Sequence, residues 1–333
     1  MTTSALVGPL LQSFFTEYLV AQKRLSPQTV ASYRDTFRLL LRFIQRETGV
    51  GPTALTITQL DMPCILHFLE TLEKERKNSI VSRNLRLTAI RSFFRFVVLH
   101  DPVSTGAATR VLAIPMKRTG TKIRQYLTRE EMEAILAALD QKQWLGRRNY
   151  ALLLTMYNTG ARVSEMVALR QDQVTLMNSK GNAQLHGKGR KERQVPLWSR
   201  TTHVLKAWFA ELAHTGTSLA FPTRQGEPLS RFAIHLLLRK AAERAAAECP
   251  SLKKKKVSPH QLRHGTAMAL LESGVDLAVI ALWLGHESIE TTNVYLHSSL
   301  AMKERALGKL APPALGFRRF KADDSVMAFL NSL

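Results

Sequence analysis

The hydrophobic spacing of this 333-residue chain is helical over most of its length and leaves that period in one place. Between Gln173 and Leu197 the runs "QVTLMN", "AQLHG" and "ERQVPL" read as short strands, parted by the turn clusters "SKGN" and "KGRK". One small antiparallel sheet set among helices is therefore expected, a mainly α fold with Lys188 in the second turn.

The helices before it have sharp ends. "SPQTVASYRDTFRLLLRFIQRETG" offers Ser26 as N-cap, Pro27 in the first helical position and Gly49 to close the C-terminus. "LLQSFFTEYLVAQKR" precedes it; "TQLDMPCILHFLETLEKER" and "SIVSRNLRLTAIRSFFRFVVLH" follow. The segment "DPVSTGAATRVLAIPMKRTGTKIRQY" lacks a sustained period and reads as a linker. Structure resumes at "LTREEMEAILAAL", where Thr128 and Glu131 have the spacing of a capping box. Helical patterns return after the strands, at "TTHVLKAWFAELA", "SRFAIHLLLRKAAERAAAE", "SPHQLRHGTAMALLESG" and "DLAVIALWLGH". The length suits two domains, and the expected division is 1–115, a helical domain, 116–312, an α+β domain, and 313–333, a tail with a short helix.

Lys and Arg number 47 against 26 Asp and Glu, a net charge of +21, and both the first 120 residues and the remainder are net positive. A surface this basic repels itself unless a polyanion neutralises it, so nucleic acid is the expected partner, gripped between two basic domains. No acidic residue occurs between Arg76 and His100, and there Arg83, Arg86, Arg91 and Arg95 interleave with Leu85, Phe93, Phe94, Phe96 and Val97. These four arginines are expected to meet phosphates, with a solvated basic face as the plainer reading. The same expectation attaches to Arg190 and Lys191 in the strand turn and to the run Lys253, Lys254, Lys255 and Lys256. Cys64 and Cys249 stand far apart, with no cluster of metal-ligating type around them. No apolar stretch reaches membrane-spanning length and the N-terminus lacks the charged start of a secretory signal, so a cytoplasmic protein with no membrane partner is expected.

In "SPHQLRHGTAMALL", His260, Arg263 and His264 fall in the first turns of one helix and converge on a small volume. Arg162, Lys188, His286 and Tyr295 likewise stand at element starts or turns. Singly, each has a structural explanation: Arg162 can pair with Glu165, Lys188 can be solvated, His286 can cap a helix, Tyr295 can sit in a core. Together they suit phosphodiester transfer. Two arginines hold non-bridging oxygens, a tyrosine hydroxyl attacks phosphorus, and a lysine or histidine protonates the leaving 5′-oxygen. This scheme calls for no cofactor, and the sequence offers no carboxylate cluster to hold magnesium.

The strings "NTGARVSEMVAL", "HGKGRKERQVPL", "SPHQLRH" and "LGHESIETTNVYLH", in that order, resemble the tyrosine recombinase (phage integrase) family, which includes Xer-type enzymes. The likeness covers residues 126–310, and the helical N-terminal part resembles the family's core-binding domain more loosely. It implies that Arg162 and Arg263 bind the scissile phosphate, Tyr295 is the nucleophile and Lys188 the general acid. It further implies that His260 is the acid/base histidine, that His286 hydrogen-bonds the phosphate, and that Glu165 supports the site; His264, beside them on its helix, is read as a supporting donor to backbone or a neighbouring side chain and not as a catalytic group. Implied too are a 3′-phosphotyrosine, a Holliday junction, and a homotetramer on double-stranded DNA bearing specific recombination sites.

Wording such as "AVIALWLGHESIETTNVYLH" is more similar to integrases of mobile elements than to Xer-type dimer resolvases, which remain the alternative reading. A type IB topoisomerase shares the residue set, and a basic architectural protein without chemistry is the reading from another class. In the tail, Asp324 is positioned to cap a last helix with Val326, Leu330 and Leu333 on one face. That helix either docks on a neighbouring subunit or packs on its own domain.

Overall fold

The computed structural model describes residues 5–120, 125–187 and 192–286, in two compact units, Met1–Lys122 and Ile123–Leu333. Lys188, Arg190, Lys191, Tyr295 and the tail 313–333 lie outside the described residues.

The first unit is all helical. It comprises α1 (Val7–Ser13) running into a π-helical stretch (Phe14–Gln22), α2 (Pro27–Thr48), α3 (Met62–Lys74), α4 (Ile80–His100) and α5 (Thr105–Leu112). The ends of α2 follow local chemistry: the Ser26 hydroxyl accepts from the Thr29 N–H, Pro27 opens the helix, and Gly49 closes it in left-handed backbone. Its core is aromatic, with Phe14, Phe37, Phe93 and Phe96 buried and the Phe93 ring 5.4 Å from Phe14 and 5.3 Å from Phe37.

Two expectations are corrected here. The supposed linker from Asp101 holds α5, whose Ala107, Ala108 and Val111 are buried against α4. Small residues over two turns carry too little hydrophobic signal to mark a helix in advance. Second, three of the four α4 arginines point inward. Arg91 donates to the Leu112 carbonyl at the end of α5 (2.6 Å), Arg83 to the Pro115 carbonyl, and Arg86 to the Thr36 hydroxyl and the Ser32 carbonyl. Arg91 and Arg83 satisfy backbone acceptors that a helix end and a returning chain leave unpaired, and Arg86 ties α4 to α2. Arg95 is exposed, and so is Leu85, placed above among the apolar residues of α4.

The second unit holds α6 (Arg129–Ala137), α7 (Trp144–Thr159), α8 (Val163–Ala168), β1 (Val174–Leu176), β2 (Gly181–His186), β3 (Glu192–Leu197), α9 (Ser199–Leu212), α10 (Arg231–Ala245), α11 (Pro259–Glu272) and α12 (Leu277–Leu284). The three strands form one antiparallel sheet in sequence order. The β2–β3 ladder runs from Gly181 opposite Leu197 to His186 opposite Glu192. Ala183 and Leu185 on β2, and Val195 and Leu197 on β3, are buried, which fixes which strand face meets the helices.

Thr128 and Glu131 do form the capping box of α6, and Glu131 is buried. Its carboxylate also takes Lys255 Nζ (2.7 Å) and the Ser251 hydroxyl (2.6 Å), and Lys255 Nζ reaches the Tyr126 carbonyl. Lys255 is thus committed to the interior, a correction to its grouping with Lys253, Lys254 and Lys256, which are exposed. A buried carboxylate needs a cation, and this one recruits it from 124 residues away. Both cysteines are free thiols. Among the described residues there is no group of three His, Cys, Asp or Glu placed to hold a metal, and no helix is long and apolar enough to cross a membrane.

Candidate active site

The site is built around the end of α7, where the string "NTGAR" changes the chain's direction. Asn158 is buried; its amide donates to the Pro196 carbonyl and its Oδ1 accepts from the Trp198 N–H, so α7 holds the far end of β3. The Thr159 hydroxyl donates back to the Thr155 carbonyl and accepts from the Ala161 N–H. Gly160 then takes left-handed backbone at φ +60°. A Cβ there would run into the Leu284 side chain. The next turn places Arg162 at the N-cap of α8, its N–H on Glu165 Oε2 (2.8 Å) and its Nη1 on Glu165 Oε1 (2.9 Å).

The end of α12 supplies the other side. Gly285, at φ +65°, closes the helix with bonds from its own N–H to the Leu282 carbonyl and from the His286 N–H to the Ala281 carbonyl. Those two bonds are the Schellman pattern, and they leave the next three carbonyls to find donors elsewhere. All three find an arginine. Trp283 accepts from Arg193 Nε (2.9 Å), Leu284 from Arg263 Nη2 (2.6 Å) and Gly285 from Arg162 Nη2 (3.0 Å). The negative end of the helix dipole favours that gathering of cations.

The first two turns of α11 contribute Arg263 and the two histidines. Ser258 caps the helix and Pro259 opens it. Arg263, only 4% exposed, also donates Nη1 to the Gly160 carbonyl (2.6 Å), which joins the α7 turn to the α12 turn through one guanidinium. His264 is buried and its ring meets that of exposed His260 edge to face, centroids 4.2 Å apart. Arg162 remains 35% exposed at the side chain, open to a ligand.

Electrostatics follow from this crowding. Burial, then the charges of Arg263, Arg162, Arg193 and His260, push the His286 imidazole down to about 4, so it is neutral at pH 7. Burial alone would push the Glu165 carboxyl up, but hydrogen bonds and charge from Arg193, then the backbone and side chain of Arg162, hold it below the usual carboxylate range. The assembly concentrates guanidinium donors and a neutral imidazole around one small volume, an arrangement fit to hold a tetrahedral oxyanion and stabilise added negative charge on it.

Of the residues singled out in the sequence, Arg162, Glu165, Arg263 and His286 are brought together, with His260 and His264 alongside on α11. Lys188 and Tyr295 fall outside the described residues. One participant was not anticipated. Arg193 on β3 forms a two-point ion pair with Glu165, Nη1 to Oε1 at 3.0 Å and Nη2 to Oε2 at 2.8 Å. The sequence did hold a clue: in "ERQVPL", Arg193 shares its strand face with Val195 and Leu197, an inward position for a cation.

Residues 125–302 match the family model for the phage integrase family, and residues 13–100 match that for the phage integrase N-terminal SAM-like domain. The chain is 46% identical over its whole length and the whole length of "Putative integrase/recombinase y4rC" of Sinorhizobium fredii. It is 33% identical to the tyrosine recombinase XerC of Halalkalibacterium halodurans, covering 86% of this chain and 91% of that one. Among solved structures it is similar to the site-specific recombinase XerH bound to its difH substrate, with a TM-score of 0.67, 21% identity and coverage of 84% and 78%. It is also similar to a lambda integrase tetramer bound to a Holliday junction, with a TM-score of 0.64, 16% identity and coverage of 88% and 78%.

Proposed function

The chain belongs to the phage integrase family of tyrosine recombinases, and from that premise we propose that it cuts and rejoins double-stranded DNA at specific sites, moving a mobile element into and out of a larger DNA. The Tyr295 oxygen attacks phosphorus, the bond to the 5′-oxygen breaks, and a 3′-phosphotyrosine forms. Lys188 gives the leaving oxygen its proton and His260 manages the tyrosine proton. Arg162 and Arg263 hold the non-bridging oxygens, and His286, neutral at pH 7, donates a hydrogen bond to one of them. Because the phosphotyrosyl bond keeps the energy of the bond it replaced, a 5′-hydroxyl from a second duplex reverses the step without nucleotide hydrolysis. Two rounds pass through a Holliday junction held by a homotetramer, and the work is done in the cytoplasm.

The observation that carries this reading is the set of three successive carbonyls at the end of α12, each taking a guanidinium. It draws three arginines, from α8, β3 and α11, to the turn that carries His286. The exposed Arg95, Lys253, Lys254 and Lys256 supply cations for the DNA backbone. Dimer resolution is the second reading, favoured by the 33% identity to XerC; the full-length 46% identity to a relative named integrase supports integration over it.

Covalent trapping tests the proposal. Wild type and Tyr295→Phe are incubated with fragmented DNA from the surrounding genome in EDTA, denatured in SDS, and the attached DNA is sequenced. Adducts from wild type alone, mapping to the ends of a mobile element, are expected. Adducts at a single chromosomal or plasmid site favour dimer resolution, and tight binding with no adduct from either protein favours a DNA-binding protein without chemistry.

A further inference from the structure

Arg193 is ten per cent exposed and spends its guanidinium on the protein itself: two donors on Glu165 and Nε on the Trp283 carbonyl. It ties β3 to α8 and to the end of α12 at once, across 28 and 90 residues of sequence. Glu165 in turn accepts from the Arg162 backbone and side chain, so its two oxygens carry four hydrogen bonds and it has little capacity left for proton transfer. The packing is close on the other side as well. A Cβ on Gly285 would lie 3.0 Å from Arg193 Nη1 and 3.1 Å from its Cδ, so the turn that carries His286 rests directly on this side chain.

We propose that Arg193 is a positioning residue for strand cleavage: by clamping Glu165 and the Trp283 carbonyl together, it sets where Arg162 and His286 stand when the phosphate arrives. The inference rests on the functional reading above and deepens it. A buried brace of general kind would sit anywhere in the core; this one is bonded to the direct partner of one phosphate-binding arginine and to the helix end that holds both. Lysine cannot replace it, because a single ammonium cannot meet a carboxylate at two points and a carbonyl at a third with fixed planar geometry.

Among the described residues, the charged and titratable groups facing His286 are Arg162 from α8, Arg193 from β3, and Arg263 and His260 from α11. That allows position and charge to be separated. Full-length wild type, Arg193→Lys and Arg193→Met are compared in three measurements: thermal melting, the rate of phosphotyrosine formation on the duplex recovered by trapping, and the His286 titration midpoint by NMR without DNA.

Arg193→Lys is expected to melt near wild type, bind the duplex equally, and cleave it about 100-fold more slowly, the cost of a misplaced phosphate. Its His286 midpoint stays close to that of wild type, because a cation is retained. Arg193→Met loses the rate and also raises the midpoint from about 4 toward the ordinary histidine value. Cleavage by Arg193→Lys within about threefold of wild type, the spread of neutral substitutions, overturns the proposal. So does a loss of rate that only tracks the folded fraction. If Arg193→Met does not fold, the lysine variant decides the matter alone. If wild type itself forms no adduct, the functional reading has failed, and the NMR midpoints still report whether Arg193 governs the state of His286.

Discussion

Burial and the surrounding arginines keep His286 neutral, while Arg193 and Arg162 keep Glu165 ionised, and both consequences can be measured. The folded-state midpoint of His286 lies near 4, below the ordinary 6.5, so between those values the unfolded chain binds a proton that the folded chain refuses. Stability must therefore fall as pH drops through that window and be fully present above it. In chemical denaturation at a series of pH values, His286→Asn should flatten that part of the profile. A bound phosphate, being anionic, should raise the midpoint, which NMR titration with a short duplex would detect. Glu165 is two per cent exposed and pairs with two cations. Glu165→Ala strands both, and should cost about 3–5 kcal/mol in urea unfolding, by the measure of broken buried pairs.

At the scale of the element, α4 and the lysine run show how a cation's task depends on the direction it points. Arg95→Ala should lower the slope of log affinity against log salt by about one, the signature of a single lost phosphate contact, without altering stability. Arg91→Ala should do the reverse: about 1–3 kcal/mol of stability is lost because the Leu112 carbonyl loses its donor, and the salt slope is unchanged. The same contrast is expected between Lys254→Met and Lys255→Met, since Lys255 neutralises buried Glu131. Helical spacing in the sequence placed α4, because such signals act within four residues. It could not tell the four arginines apart. Their partners lie on α2, on α5 and on the chain beyond α5, and only packing brings those within reach.

For the whole molecule, the two units meet in sequence at Lys122 and Ile123, in a stretch rich in trypsin sites from Lys117 to Arg124. Each unit has its own hydrophobic core, so brief trypsin treatment should first give two fragments parted between residues 117 and 124, identified by mass spectrometry. Several features of this protein were settled by sequence alone. They include the mainly helical class, the three short strands, the caps at Ser26, Gly49 and Thr128, and the basic charge of both units. Each depends on interactions that span a few residues or on a sum over composition, and neither needs the fold to be known. Tertiary structure alone decided that Lys255 belongs to Glu131, that the residues after Asp101 form a packed helix, and that Arg193 pairs with Glu165. It also decided that Arg162 and Arg263 meet at the end of α12, across 123 and 21 residues. A guanidinium or ammonium on a flexible stem carries no local preference for one acceptor over another; its partner is whichever buried carbonyl or carboxylate the folded chain leaves unsatisfied beside it.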